Sequence, residues 1–204
     1  MPNLSRLVVL VSGNGSNLQA ILDACATEEF PAVVVAVISN KTDAYGLVRA
    51  AKAGVPTTVI TKTQEPDRRA YDAMLAGYVA SYRPDYVVLA GWMRVLSSVF
   101  LERFPNRVIN LHPALPGTFP GTHAIERAYE AWQKGEIDHT GVMVHLVPDE
   151  GVDNGPVLGT QEIPFVAGES LEQFEEHVHT VEHELLVHVL TQLITQTQPG
   201  PGTD

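Results

Sequence analysis

One cysteine, Cys25, is all the thiol chemistry in this 204-residue chain. No intramolecular disulfide can form and no thiolate cluster can hold a metal. Cys25 falls in an apparent helix and reads as a small buried residue. Basic residues are also scarce: 13 Lys and Arg stand against 24 Asp and Glu, a formal net charge of -11 at pH 7. Such a field opposes the many phosphate contacts that hold a long nucleic acid. A small anion then has to be held by a local pocket or by backbone N–H groups. Nowhere do 18 apolar residues run together, so no spanning helix and no membrane partner are expected. The first apolar run breaks at once into Ser12-Gly13-Asn14-Gly15, which is unlike a secretory leader, and a cytoplasmic location follows by default.

What is present suits a single domain with a sizeable core, since 45% of the residues are apolar. Residues 7–11 (Leu-Val-Val-Leu-Val) are apolar without alternation, as in a parallel strand buried on both faces. Runs at 33–38, 55–60, 86–90, 107–112, 140–147 and 157–163 predict further strands. Helical patterns lie between them at 18–24, 44–53 and 124–134, in a stretch opened by Pro66 and ended by Pro84, and in a short helix capped by Ser97. Leu171, Phe174, Val178, Val181, Leu185 and Val189 form one stripe on a long last helix, with Glu175, Glu176, His179, Glu182 and His183 on its other faces. The alternation predicts an α/β fold: an open, mostly parallel, Rossmann-like sheet with helices on both faces. No repeat or linker divides it, giving one domain over residues 1–194 and a frayed tail over 195–204.

Three places look equipped for chemistry. The turn Gly13, Asn14, Gly15, Ser16, Asn17 joins the first strand to the first helix. That arrangement points free helix N–H groups at an anion, and Ser16 and Asn17 can cap the helix or donate to phosphate oxygens. A dinucleotide site would want an acidic residue after the second strand, but Ser39-Asn40-Lys41 stand there, so NAD is a poor reading. After the fourth strand, Gly91, Trp92, Met93, Arg94, Val95 and Leu96 suit a pocket for a flat, partly aromatic ligand. Third, Asn110 and His112 share one face at the carboxyl end of the strand Val108-Ile109-Asn110-Leu111-His112, where open α/β sheets put their chemistry.

Asn110 supplies an amide, His112 an imidazole, and a later loop a carboxylate. Such a set can stabilise an oxyanion and move protons between a nucleophilic amine and a leaving nitrogen. Asp149, Glu150 and Asp153 all compete for the carboxylate role; Asp153, between Gly151 and Gly155, is the most constrained by its turn. No covalent nucleophile is evident. His112, His123 and His145 with Asp153 match no compact metal signature, and no metal is expected.

Taken together, these motifs resemble the glycinamide ribonucleotide formyltransferase family over about residues 5 to 193. The first turn (Val11 through Ile21) is similar to the family's substrate-phosphate loop, Ser39-Asn40-Lys41 to its second-strand exit, and Ala90 through Leu96 to its folate-binding segment. The resemblance implies a formyltransferase fold and transfer of a formyl group from 10-formyltetrahydrofolate, a cosubstrate, to the amine of 5'-phosphoribosylglycinamide. It implies Asn110, His112 and Asp153 as the catalytic trio, with His145 in support. Gly13 to Asn17, Arg68, Gly91, His179 and Glu182 are implied on the phosphorylated substrate. Trp92 to Leu96 (Trp92, Met93, Arg94, Val95, Leu96), Asn110, Val147, Pro148, Asp149 and Glu150 are implied on the folate. The partners expected are those small molecules, with no nucleic acid, for a monomer or homodimer.

The chain departs from the family in two loops. Leu115-Pro116-Gly117 replaces the usual Leu-Leu-Pro, and one extra residue, most simply Pro148, stands between His145 and Asp153. Related formyltransferases and hydrolases are less good readings. The tRNA-dependent enzyme needs a second, tRNA-contacting domain, and the hydrolase has an added regulatory one. A noncatalytic nucleotide-binding module would keep the first turn without needing the trio.

Overall fold

The computed structural model describes residues 4–62 and 67–197. Unbroken apolar runs become buried strands: β1 (Ser5–Val11), β2 (Ala32–Ser39), β3 (Thr57–Val59), β4 (Tyr86–Leu89) and β5 (Val108–His112) are parallel neighbours in the order β3-β2-β1-β4-β5. β6 (His139–Leu146) and β7 (Val157–Pro164) then add antiparallel, completing a mixed, mostly parallel sheet of seven strands. The predicted Rossmann-like α/β sheet is what forms.

Helices cover both faces because successive strand residues point to opposite sides. Leu7, Val9, Val11, Val88 and Ile109 pack in one layer with Leu18 and Ile21 of α1 (Ser16–Cys25) and Phe174, Leu186 and Leu190 of α6 (Leu171–Thr197). Val8, Leu10, Val87 and Leu89 pack in the other with Tyr71, Leu75 and Val79 of α3 (Arg68–Ser81) and Phe100 of α4 (Ser98–Leu101). α2 (Tyr45–Lys52) leads to β3, and α5 (Ala124–Gln133) connects β5 to β6. Strand order reverses between β1 and β4: the chain moves outward from β1 through β2 to β3, then returns to the other side of β1. A crevice outside the carboxyl ends of the strands opens at such a switch. All three chemically equipped stretches leave strands at that edge.

Several local expectations change. The last helix runs to Thr197, three residues into the stretch expected as a frayed tail, with Ile194 buried near its end; residues 198–204 lie outside the described residues, as does Pro66. Asp67 caps α3, accepting from Ala70 N–H at 2.8 Å. The buried stripe of α6 is wider than its apolar periodicity, because Glu182 is buried beside Val178, Leu185 and Leu186. Neither Ser16 nor Asn17 caps α1; Gly15 holds the cap position in the left-handed region, φ 74°. That conformation suits glycine, and a Cβ on Gly15 would also press on the α carbon of Gly46. Ser97 occupies the cap position of α4 without a side-chain bond of its own. The carboxylates of Asp72 and Glu150 accept from the Ser97 and Ser98 N–H groups instead, at 2.6 and 2.8 Å.

Candidate active site

β5 and β6 run antiparallel with Asn110 opposite His145, so their side chains meet across the ladder. His145 Nδ1 lies 2.8 Å from the Leu146 carbonyl, which only accepts; Nδ1 therefore carries a proton. In the neutral ring Nε2 is then an acceptor, and Asn110 Nδ2 donates to it at 3.1 Å. The same Nδ2 donates to Asp153 Oδ1 at 3.1 Å. His145 Nε2 stands 3.6 Å from that oxygen, beyond a hydrogen bond, with the Asn110 amide bridging them.

His112, two residues along the same strand, is 4% exposed. Its Nδ1 lies 3.3 Å from Asp153 Oδ2 and its Nε2 3.0 Å from the Phe119 carbonyl. Two acceptors facing one ring suit an imidazolium. Burial, the largest influence, opposes the charge, Asp153 and the Phe119 carbonyl favour it, and with His145 and Arg127 also opposing it His112 is held below the ordinary histidine value. Desolvation thus outweighs the neighbouring carboxylate at this ring. Burial also pushes the Asp153 carboxyl up, but the pull of its neighbours, the Gly121 N–H and the His112 ring among them, outweighs it and holds the group below the usual aspartate range.

Asp153 reaches both residues from the β6–β7 loop, in the left-handed region at φ 53°. A non-glycine residue there needs a surrounding structure that over-determines it. Its carboxylate supplies part of that, accepting from Asn110 and, at 2.8 Å, from Gly121 N–H. Gly155 supplies more, since a Cβ there would collide with the Leu146 carbonyl. The competing carboxylates are occupied elsewhere. Asp149 accepts from Gly151 N–H at 2.8 Å within its own turn. Glu150 accepts from Arg68 at 2.9 Å as well as from Ser98 N–H.

These groups form one wall of a cavity of about 550 Å³. Of the residues singled out from sequence, Gly91, Trp92, Met93, Arg94, Val95, Leu96, Asn110, His112, His145, Val147, Asp149, Asp153, His179 and Glu182 line it. The Arg94 guanidinium sits over the Tyr71 ring, 4.0 Å from its centroid. Glu182 accepts from His179 Nδ1 at 2.6 Å, and that bond, against partial burial, raises the His179 pKa. Gly13, Asn14, Gly15, Ser16, Asn17, Arg68, Pro148 and Glu150 do not line the cavity. The first turn nevertheless adjoins its rim: Ser12 N–H donates to the Gly91 carbonyl at 3.0 Å and Met93 N–H to Ser12 Oγ at 2.9 Å.

Sequence reasoning did not single out Arg49, Phe119, Gly121 or Arg127. Arg49 donates to the Asn14 carbonyl and side chain, both at 2.9 Å, and so braces the first turn from α2. Arg127 holds the Phe119 and Pro120 carbonyls, each at 2.7 Å, and so places the acceptor that faces His112. A lone arginine in a helical pattern gives no such signal, and backbone partners such as the Phe119 carbonyl and Gly121 N–H give none. Among the described residues no group of three or more His, Cys, Asp or Glu could hold a metal ion, and no helix is long and apolar enough to cross a membrane.

The sequence pattern of the family described as Formyl transferase matches residues 5–190. Phosphoribosylglycinamide formyltransferase of Schizosaccharomyces pombe is 48% identical over 207 residues, covering 96% of this chain and 100% of that protein. The Escherichia coli (strain K12) protein of the same name is 44% identical over 185 residues, covering 91% and 85%. The crystal structure of glycinamide ribonucleotide transformylase 1 from Symbiobacterium toebii superposes with a TM-score of 0.90 at 37% identity, over 99% of this chain and 93% of that one. With the fold, the pattern and near-full-length relatives in agreement, the chain belongs to the formyl transferase family.

Proposed function

We propose that this chain transfers a formyl group from 10-formyltetrahydrofolate to the primary amine of 5'-phosphoribosylglycinamide, a step of de novo purine biosynthesis, in the cytoplasm. The observation that carries the reading is the meeting of Asn110, His112 and Asp153 at hydrogen-bonding distances on one cavity wall, beside the anion-suited turn after β1. Relatives that carry this activity in their names align with the chain over nearly their whole length.

The lining fits the folate cosubstrate. Leu89, Trp92, Val95, Leu96 and Val147 offer an apolar slot for a flat ring, while the exposed Met93 and the Arg94 guanidinium reach its rim. Pro148, Asp149 and Glu150 shape the loop above it. The phosphorylated substrate takes the opposite end: the backbone of Gly13, Asn14 and Gly15 with Ser16 and Asn17 for the phosphate, then Gly91, His179 and Glu182; Arg68, paired with Glu150 at 2.9 Å, stands with the folate-side loop instead of the phosphate. No metal takes part. The catalytic unit is one domain, residues 1–194 with the final helical turn, acting as a monomer or homodimer.

His112 is the group at the reacting oxygen. Its Nε2–H, which faces the Phe119 carbonyl at 3.0 Å, turns to the formyl oxygen as the amine attacks and the carbonyl electron pair moves onto that oxygen. Asp153 stabilises the imidazolium through Nδ1 and carries protons between the attacking amine and the folate nitrogen. His145 holds Asn110 in place. Loss of the oxyanion donor costs roughly 3–4 kcal/mol of barrier lowering, as in other oxyanion holes.

The test is a formyl-transfer assay with glycinamide ribonucleotide, comparing the intact protein with His112→Ala and Asp153→Asn. Transfer by the intact protein and losses of about a hundredfold or more in both variants are expected. Absence of transfer by the intact, folded protein overturns the reading.

A further inference from the structure

The segment between β5 and α5 touches both members of the His112–Asp153 pair. The Phe119 carbonyl lies 3.0 Å from His112 Nε2, and Gly121 N–H donates to Asp153 Oδ2 at 2.8 Å. Phe119 and His123 both stand in the left-handed region, at φ 44° and 57°, which bulky residues keep only where their surroundings enforce it. Arg127, near the start of α5, is the enforcing group. Its Nη2 donates to the Phe119 and Pro120 carbonyls, each at 2.7 Å, and its Nε to the His123 carbonyl at 3.3 Å. The neighbouring carboxylate of Glu126 lies against His123 Nδ1 at 2.9 Å, leaving the guanidinium to backbone oxygens. A carbonyl oxygen has two lone pairs, and that of Phe119 faces two donors, Arg127 and His112.

We propose that Arg127 is a positioning residue for formyl transfer, keeping the Phe119 carbonyl satisfied while the His112 Nε2–H leaves it for the formyl oxygen. The inference rests on the formyl-transfer reading. His112 Nε2–H faces a backbone oxygen, and each turnover has to take it away. A partly buried carbonyl left without a donor would oppose that release. The Arg127 bond persists through the step and is shorter than the one given up, so the ring is freed without orphaning its former partner. The same grip on the Pro120 carbonyl sets the path into Gly121, whose N–H steadies the Asp153 carboxylate. No proton leaves the guanidinium, and no covalent bond to it forms or breaks. Its contribution therefore falls on turnover and not on the binding of either substrate. The charge of Arg127 also acts on the His112 ring, with that of His145 and against that of Asp153.

The test is steady-state formyl transfer by Arg127→Ala, Arg127→Lys and the unaltered protein, with KM read for glycinamide ribonucleotide and for formyltetrahydrofolate. Arg127→Ala should lose about tenfold in kcat, with both KM values within about twofold of the unaltered protein. Guanidinium chloride at a non-denaturing concentration should raise the kcat of that variant several-fold. Ammonium chloride at equal ionic strength should not, because a compact ammonium ion lacks the planar fork that spans two carbonyls. Arg127→Lys keeps the charge without the fork and should lose about threefold in kcat, again with KM unchanged. Full turnover in Arg127→Ala, a loss confined to either KM, or equal recovery in the two salts overturns the proposal. If Arg127→Ala does not fold, Arg127→Lys decides: a lower kcat at unchanged KM supports the proposal, and full turnover overturns it. Transfer by the intact protein with the wrong pattern in the variants sinks this inference alone, whereas no transfer at all sinks the reading beneath it.

Discussion

The imidazole of His112 and the carboxylate of Asp153 stand 3.3 Å apart, Nδ1 to Oδ2, with side chains only 5% and 10% exposed. Burial pushes the two in opposite directions, lowering the histidine pKa and raising the aspartate, while each one's charge favours the charge of the other. The pair titrates as a unit.

His112 should therefore titrate below the ordinary histidine value when followed by NMR, and Asp153→Asn should move it further down by removing the one neighbouring anion. An upward move in the variant would show that Asp153 does not act on the ring. The stability sign follows from proton binding. The folded form binds fewer protons at this site than the unfolded chain, so stability falls as pH drops through the ordinary histidine range. His112→Gln should flatten that part of the unfolding curve.

His179 should behave oppositely. Its hydrogen bond with Glu182 raises its folded pKa, so its contribution to stability is complete below the unfolded value and is lost as pH rises through the folded one. Glu182→Gln should narrow the difference in melting temperature between mildly acidic and mildly alkaline buffer. An unchanged difference would place the pH dependence elsewhere.

Asp72 is 1% exposed and accepts from the Ser97 N–H at 2.6 Å, closing the start of α4 from α3. Asp72→Ala leaves that N–H without its acceptor and should cost about 2 kcal/mol in urea unfolding. Asp72→Asn, which keeps an oxygen in place, should cost less. Equal losses would mean that packing rather than the hydrogen bond matters there.

Gly155→Ala should harm both stability and rate. A Cβ at Gly155 meets the Leu146 carbonyl, so the β6–β7 loop must shift, at a cost of about 1–3 kcal/mol for overpacking. The same shift moves Asp153 away from His112. Loss of stability with an unchanged turnover rate would show that the carboxylate is held independently of the turn.

Much of this was legible from residue patterns, and the remainder fails for identifiable reasons. Unbroken apolar runs mark the parallel strands because both faces of such strands are buried, and Asn110 stands out by interrupting one. The carboxylate could only be ranked from sequence: Asp149, Glu150 and Asp153 differ by where a tight loop aims them, and only coordinates show the first two engaged with Gly151 and Ser98. Glu182 was assigned to an exposed face because periodicity counts apolar residues, whereas its burial depends on His179 beside it. Residue types marked Asn110 as an amide; that it faces both His145 and Asp153 depends on strand register and loop path, which apolar patterning does not give.

The reversal of strand direction between β5 and β6 has a consequence for how the fold tolerates change. Asn110 and His145 are locked side by side by ladder hydrogen bonds, so their alignment is indifferent to the length of the long excursion that separates them. Residues can be gained or lost between positions 113 and 138 without unpairing them. Asp153 has no ladder to hold it and depends on a short loop and on the bonds it accepts from Asn110 and Gly121. Divergence among such chains should thus be free in the parts of the excursion away from Phe119, Gly121 and Arg127, and narrow in the eight residues after His145.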